Sequence, residues 1–379
     1  MNKPSGKFVK GAGQYRCYVP DPLPPKIEWN LSLVSALSDA DRLLGYLAGE
    51  GGKLPNPHIF IKSFVAKEAV LSSRIEGTQA TLGDVLAANA GAAIDDKYDD
   101  VKEVNNYIAA LEYGITRLAS LPMSLRLLCE LHEKLMAGVR GHHVTPGEFR
   151  RSQNWIGVGG CTLATASYIP PSPEYLMQCL GDLEEFLYTK NLPPLVQIAL
   201  AHYQFEAIHP FLDGNGRVGR LLITLFLVER EILPTPLLYL SAFFEATRQE
   251  YYARLQAVTE QGDWQGWLQY FFNGIARQAE DASSRALRIN QLLHDWRKQT
   301  AGLATSVPNR LIDLLAANPF ITTNQISESM QVSYTTTQRA IDKLISLGII
   351  QEVSGSRRNR VYCAQAILAI LEEPTKIKG

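Results

Sequence analysis

Through the middle of the chain, apolar residues recur at intervals of three and four rather than two. The pattern holds over 31–47, 60–71, 101–119, 124–136, 174–187, 193–207 and 217–231, and that period turns one face of a helix toward a core. It continues over about 244–259 and 264–298, with Gly262 and Asp263 at the break and Trp264 and Trp267 placed to pack inside. One stretch departs from it. Residues 155–171 are rich in β-branched and aromatic residues, interrupted by glycines and closed by Pro170 and Pro171, which predicts a short β-hairpin projecting from a helical body. Upstream, Pro20, Pro22, Pro24 and Pro25 fix φ and remove donors, so residues 1–30 are predicted as an extended arm lying on the body.

The last part of the chain has a different rhythm. Asn309 to Ala317 reads as a helix ended by Asn318-Pro319, Thr323 to Met330 as a second, and Ser333 caps a third that runs to Leu347 before Gly348. Residues 349–362 then alternate like a two-stranded ribbon turning at Gly355. Three helices and a ribbon in this order are the layout of a winged helix-turn-helix. The expected fold is therefore mainly α: a helical core with a β-hairpin flap, followed by a winged helix-turn-helix. The expected division is 1–110, an N-terminal arm and helical region; 111–300, the helical core with its flanking helices; and 301–379, the winged-helix-like domain.

Composition narrows the function classes. The 379 residues carry 37 Lys and Arg against 38 Asp and Glu, a formal charge of −1, which excludes a globally basic nucleic-acid coat and an acidic solvating chain. Five cysteines, Cys17, Cys129, Cys161, Cys179 and Cys363, are widely spaced without a CxxC pair, so neither a disulfide framework nor a zinc site is expected. The longest apolar stretch, Leu221 to Val228 with one Thr, is far shorter than the roughly 18 residues of a membrane span. The N-terminal lysines are not followed by an apolar run, so a cytoplasmic protein is expected.

The chemistry concentrates in residues 209–220, His-Pro-Phe-Leu-Asp-Gly-Asn-Gly-Arg-Val-Gly-Arg. Gly214, Gly216 and Gly219 formally match GxGxxG, but the preceding segment is helical rather than a strand, and a dinucleotide fingerprint needs the strand. The physical reading is still a phosphate site. Glycines let successive backbone N–H groups converge into a nest, and the helix starting near Gly216 aims its positive end at the same place. Arg217 and Arg220 are three apart, on one side of the opening turns, and guanidinium forks suit phosphate oxygens. Asp213 is a lone carboxylate of the kind that holds Mg²⁺ together with substrate phosphates. Asn215 can bond a phosphate oxygen without repelling it, and His209 is the group able to take a proton near neutral pH. His202, on the preceding helix, reads as structural.

These twelve residues resemble the signature of the Fic family, H-P-F-x-D-G-N-G-R-x-x-R, at every fixed position. Pro146 to Arg150, Gln153 to Gly157 and Tyr168 to Pro171 are similar to the family's segments around its flap. The resemblance implies transfer of AMP from ATP to a Ser, Thr or Tyr hydroxyl of a protein substrate, with release of pyrophosphate. His209 would take the hydroxyl proton and Asp213 would hold Mg²⁺. Asn215 and the 214–217 backbone would cradle phosphates, and Arg217 and Arg220 would bind the β- and γ-phosphates. The flap, with Gly157, Thr162 and Tyr168, would pin the target by strand addition. Gly216 stands where a phosphotransferase branch of the family has lysine. Tyr251 and Tyr252 resemble a pair lining the nucleoside pocket, although Thr259 stands where relatives carry Asn.

Ser72-Ser73-Arg74-Ile75-Glu76-Gly77 resembles the family's inhibitory motif, which implies that Glu76 pairs with Arg220 and takes the guanidinium that the γ-phosphate needs. Region 301–379 holds eight Lys or Arg against six Asp or Glu. Arg339 and Lys343 lie on its third helix, and Arg357, Arg358 and Arg360 at the ribbon tip could track DNA phosphates. Two further readings are open at this point: a hydrolase that removes AMP at the same site, and a transcription regulator whose core senses nucleotide. Beyond the protein substrate and DNA, a homo-oligomer is admitted as a partner arrangement.

Overall fold

The computed structural model describes residues 3–11, 15–53, 57–92, 97–138, 145–157, 159–303, 305–354 and 360–375. Among them, strands β1 (Gly6–Lys10) and β2 (Arg16–Pro20) precede helices α1 (Leu31–Lys53), α2 (Pro57–Ile75), α3 (Leu82–Asn89), α4 (Tyr98–Arg117) and α5 (Leu125–Leu135). Helices α6 (Pro173–Tyr188), α7 (Pro194–Ile208), α8 (Asn215–Glu229), α9 (Ser241–Ala246), α10 (Arg248–Gln261) and α11 (Trp264–Thr300) follow. The C-terminal part contains α12 (Val307–Ala317), β3 (Phe320–Thr322), α13 (Thr323–Met330), α14 (Tyr334–Ser346), β4 (Gln351–Glu352), β5 (Val361–Cys363) and α15 (Gln365–Glu372). No helix among the described residues is long and apolar enough to cross a membrane.

The chain packs into two compact units. The first comprises residues 1–45, 106–234 and 243–277. Its centre is α7, buried on every side from Leu195 to Phe205, as expected of a helix apolar all round. Helices α6 and α8 flank it, and α8 comes close because position 219 is glycine: a Cβ there would lie 2.4 Å from Glu206 Oε1 and 3.1 Å from Phe205 Cδ1. The N-terminal region differs from the extended arm read from its prolines. β1 and β2 form an antiparallel ladder with Phe8 opposite Tyr18, and Tyr18 is fully buried with its hydroxyl 3.3 Å from that of Tyr203. The prolines begin at the end of β2, so they stop the strand instead of preventing it. The helix read over 244–259 is divided at Thr247, whose hydroxyl bonds the Phe243 carbonyl at 2.6 Å and the Tyr270 hydroxyl at 2.8 Å. Gly262, left-handed at φ 65°, then ends α10 where the sequence pattern breaks.

The second unit comprises residues 46–105, 235–242 and 278–379. Here α12, α13 and α14 with the sheet β3-β5-β4 form the winged helix-turn-helix. Ser333 caps α14 by accepting from Thr336 N at 3.2 Å. The ribbon's turn at Gly355, with Arg357 and Arg358, lies outside the described residues. Helix α2 packs on α12, α3 and α15, and Ser63 donates to the Ala317 carbonyl at 3.0 Å. Ser72 is buried in its last turns, and Gly77, left-handed at φ 107°, follows Glu76.

On α2, Lys67 is buried with its Nζ 4.5 Å over the Tyr239 ring and with no hydrogen-bond partner among the described residues. Burial, reinforced by Arg285, pushes the amine down to about 7. Its folded value is below the ordinary lysine value, so the unfolded chain binds more protons between pH 7 and roughly 10.5 and stability rises with pH through that window. Lys67→Met is expected to raise the urea midpoint at pH 7 and to flatten this pH dependence, because it removes a buried amine and keeps the volume. A lower midpoint would show that the cation is held favourably.

Candidate active site

Helix α7 ends at His209, which takes left-handed dihedrals (φ 49°, ψ 62°) while its N–H still bonds the Phe205 carbonyl at 2.9 Å. Histidine tolerates this region better than most residues, and Pro210 then prevents the helix from resuming. Five residues later Gly214, left-handed at φ 76°, opens α8. A short loop with a left-handed residue at each end thus joins the two central helices.

The loop is held from inside and outside. Asn215 is buried, with Oδ1 accepting from Phe211 N and Nδ2 donating to Phe211 O, both at 2.8 Å. The amide expected on a phosphate oxygen therefore closes the loop on itself. Gly214 N donates to Asp213 Oδ1 at 2.6 Å. From outside the motif, Arg150 places Nε on the His209 carbonyl at 2.9 Å and Nη2 on the Pro171 carbonyl at 2.5 Å, and its backbone N bonds the Pro210 carbonyl at 2.9 Å. Asn154 Nδ2 reaches the carbonyls of His209 and Phe211 at 3.2 and 2.9 Å. Burial lowers the Arg150 guanidinium to about 10. These carbonyls supply partial negative charge around the buried cation.

Asp213 and Arg217 lie one turn apart, 3.9 Å between Oδ1 and Nη2, with the carboxylate 57% exposed and the guanidinium 5%. Arg217 and Arg220 are both buried on α8, and His209 is half-buried. Gly216 falls in the first turn of α8, so Asp213, the 214–217 backbone and the arginines share the positive end of one helix. The described residues contain no group of three or more His, Cys, Asp and Glu side chains placed to hold a metal ion among themselves. The donor available to a cation is one exposed carboxylate, which suits Mg²⁺ arriving with phosphates and water.

Below the loop, His202 is buried, 3.0 Å from the Gly219 carbonyl through Nδ1 and 2.8 Å from the Tyr251 hydroxyl through Nε2. Burial and then Arg220 push it down to about 3, so it is a neutral link between α8 and α10, in line with its structural reading. Tyr251 and Tyr252 are separated: Tyr251 is buried against His202, Phe244 and Trp267, whereas Tyr252 is exposed. Thr259 bonds the Tyr203 hydroxyl at 2.9 Å.

The flap is less regular than the hairpin read from its composition. Among the described residues one antiparallel bridge, Ile156 with Tyr168, closes it, and turns lie at 159–160 and 163–165. Thr162 N bonds Thr165 Oγ1 at 3.0 Å. Gly157 is needed where a Cβ would sit 2.6 Å from Cys161 Sγ. Tyr168 donates to the Ala207 carbonyl at 2.6 Å, which ties the flap's base to the end of α7. Ser72 and Glu76 belong to the second unit, and the other predicted site residues belong to the first.

One participant escaped the sequence reading. His132, buried on α5, stacks on Phe211 at 3.9 Å between centroids, accepts from Gly147 N at 2.9 Å and lies 3.1 Å from the Asp213 carbonyl. Burial pushes this imidazole down to about 4.

The sequence comparisons match both this loop and the helices that carry it. Residues 34–116 match the Fic/DOC family N-terminal region, 122–227 the Fic/DOC family, and 309–351 a winged helix-turn-helix DNA-binding family. The chain thus carries the N-terminal and core domains of the Fic/DOC family, followed by a winged helix-turn-helix. It is 31% identical over 221 residues to the protein adenylyltransferase fic-1 of Caenorhabditis elegans, covering 56% of this chain and 39% of that protein. It is 32% identical over 163 residues to the protein adenylyltransferase Fic of Drosophila willistoni, covering 41% and 30%. The chain thus spans well under half of these curated relatives. The crystal structure of a Fic family protein from Desulfovibrio desulfuricans matches 90% of this chain and 98% of that one, with a TM-score of 0.61 at 22% identity, a likeness of fold. The structure of Fic-1 from C. elegans matches 68% of this chain and 73% of that one, with a TM-score of 0.52 at 27% identity.

Proposed function

We propose that this protein transfers AMP from ATP to a Ser, Thr or Tyr hydroxyl of a protein substrate, under restraint by its own Glu76. The observation that carries this reading is the loop from His209 to Gly214, which sets a half-buried imidazole, an exposed carboxylate and a helix N-terminus with two buried arginines within twelve residues. The substrate hydroxyl oxygen attacks the α-phosphorus, the bond from that phosphorus to the α,β-bridging oxygen breaks, and pyrophosphate leaves. His209 takes the hydroxyl proton. Backbone N–H groups of 215–217 would face the phosphates, since that of Gly214 is held by Asp213 Oδ1, and Arg217 and Arg220 would hold the β- and γ-phosphates. Asp213 is the residue that would hold Mg²⁺, which supplies charge neutralisation on the phosphates when bound. Tyr252, exposed, offers its ring to adenine, and Tyr251 supports it from the core.

The flap would hold an extended target segment by main-chain bonds, so affinity comes with little demand on side chains. Glu76 pairing with Arg220 would occupy the guanidinium needed by the γ-phosphate, leaving ATP in a non-productive pose. Incubation of the protein with ATP and a cell extract, followed by mass spectrometry, is expected to find adenosine monophosphate esters on hydroxyl side chains. Esters that disappear from pre-modified proteins would instead mark the protein as an AMP-removing hydrolase.

The winged helix presents Tyr334, Thr335 and Arg339 at the exposed face of α14 and Arg360 at the base of the ribbon, a surface suited to duplex DNA. Binding is expected to weaken steeply with salt, because lysine and arginine contacts to phosphates release counterions. Absence of a duplex shift at low salt in a mobility assay would remove DNA from its partners.

A further inference from the structure

We infer that His132, outside the signature motif, is a positioning residue whose neutral ring, protonated on Nε2, fixes the Asp213–Gly214 peptide and through it the direction of the Asp213 carboxylate. The inference rests on the nucleotide-transfer reading of the loop. Gly147 N lies 2.9 Å from Nδ1, and a backbone N–H can only donate, so Nδ1 carries the lone pair. The proton is then on Nε2, 3.1 Å from the Asp213 carbonyl, which can only accept. The other tautomer would set two N–H groups against each other on one side and two lone pairs on the other. In a trans peptide the C=O and N–H point opposite ways, so holding Asp213 O fixes where Gly214 N–H points. That N–H donates to Asp213 Oδ1 at 2.6 Å. The carboxylate offered to the cation is thus aimed through two hydrogen bonds by a ring on α5.

Two packing features keep the ring in place. It stacks on Phe211 at 8° between planes, and Phe211 is itself clamped by Asn215 and Asn154. Gly147 is left-handed at φ 81°, and a Cβ there would meet Glu133 Cβ at 3.2 Å and the Cys129 carbonyl at 3.4 Å, so glycine lets its N–H reach α5. The segment from Gly147 to Asn154 therefore holds the catalytic loop at three points, directly through Arg150 and Asn154 and through the His132 ring.

Three measurements on the full chain test this. Long-range ¹H–¹⁵N correlation spectra at neutral pH are expected to show His132 protonated on Nε2; an Nδ1-protonated ring would overturn the inference. His132→Phe keeps the stack and loses both hydrogen bonds, and His132→Gln restores a donor. In a Glu76→Gly background, His132→Phe is expected to lower kcat about 10- to 100-fold and to raise the Mg²⁺ concentration for half-maximal rate, with His132→Gln recovering part of both. Calorimetric titration of a non-hydrolysable ATP analogue is expected to lose its Mg²⁺ enhancement in His132→Phe. A folded His132→Phe with unchanged kcat and unchanged Mg²⁺ enhancement would overturn the inference. If Glu76→Gly with His132 intact transfers nothing, the functional reading fails, while the ring spectrum and the analogue titration still decide the role of His132.

Discussion

Replacing His209 by alanine is expected to lower AMP transfer by roughly 10² to 10⁴-fold, the range for removing a general base. The hydroxyl of a Ser, Thr or Tyr is a weak nucleophile until its proton has somewhere to go, and among residues 209–220 His209 is the sole imidazole. Its ring stands at the junction of α7 and the loop because the backbone turns left-handed there and both Arg150 and Asn154 hold its carbonyl. Alanine in the left-handed region costs about 1–2 kcal/mol, so a loss of activity could reflect a loosened loop. His209→Asn separates the two effects, since asparagine accepts this backbone region but provides no base. Similar losses in initial-rate assays of both variants, with the unfolding midpoint of His209→Asn near that of the parent, are the expected result. Transfer retained by His209→Asn would assign the proton to another acceptor.

Glu76→Gly is expected to raise transfer about 10- to 100-fold, the factor corresponding to a charge-assisted pair of roughly 1.5–3 kcal/mol. Arg220 is buried on α8, and a guanidinium engaged with a carboxylate must release it before meeting a γ-phosphate. Glu76 follows the last residue of α2, so glycine there carries no helix-interior cost, and the left-handed Gly77 already ends the helix. The helix leading to it is anchored: Glu68 accepts from Ser241 N at 3.1 Å and from the Ser241 hydroxyl, which favours a defined position for Glu76 over a mobile tail. Rates of label incorporation from ATP measure the effect, and equal or slower transfer by the folded variant would remove Glu76 as the restraint.

Helices were readable where an apolar period ran for three turns or more, as in α7 and α8, because burial of one face or of the whole surface is written into consecutive residues. The loop from His209 to Gly219 was readable because its glycines answer distinct backbone demands, a left-handed opening of α8 at Gly214 and close helix packing at Gly219. Other parts were hidden for physical reasons. Tyr251 and Tyr252 are neighbours in sequence, yet consecutive helical residues point about 100° apart, and the buried spacing Tyr251 to Val258 was the signal that separates them. The flap's β-branched content suggested a ladder, but its glycines and threonines satisfy turns locally. Helix α3 is only eight residues long, too short for a period to emerge. His132 had no neighbouring motif to mark it: its partners Asp213 and Gly147 are brought to it by folding, and Gly147, next to Pro146, was the nearest hint of a constrained turn.

The central claim is tested most directly by incubating the parent protein, Glu76→Gly and His209→Ala with Mg²⁺ and ATP labelled at either the α- or the γ-phosphate, in the presence of a cell extract. Protein-bound label from the α position alone, strongest in Glu76→Gly and absent in His209→Ala, is the predicted result. Label from the γ position alone would contradict it by reversing the nucleotide, and label from neither position in Glu76→Gly would contradict AMP transfer itself.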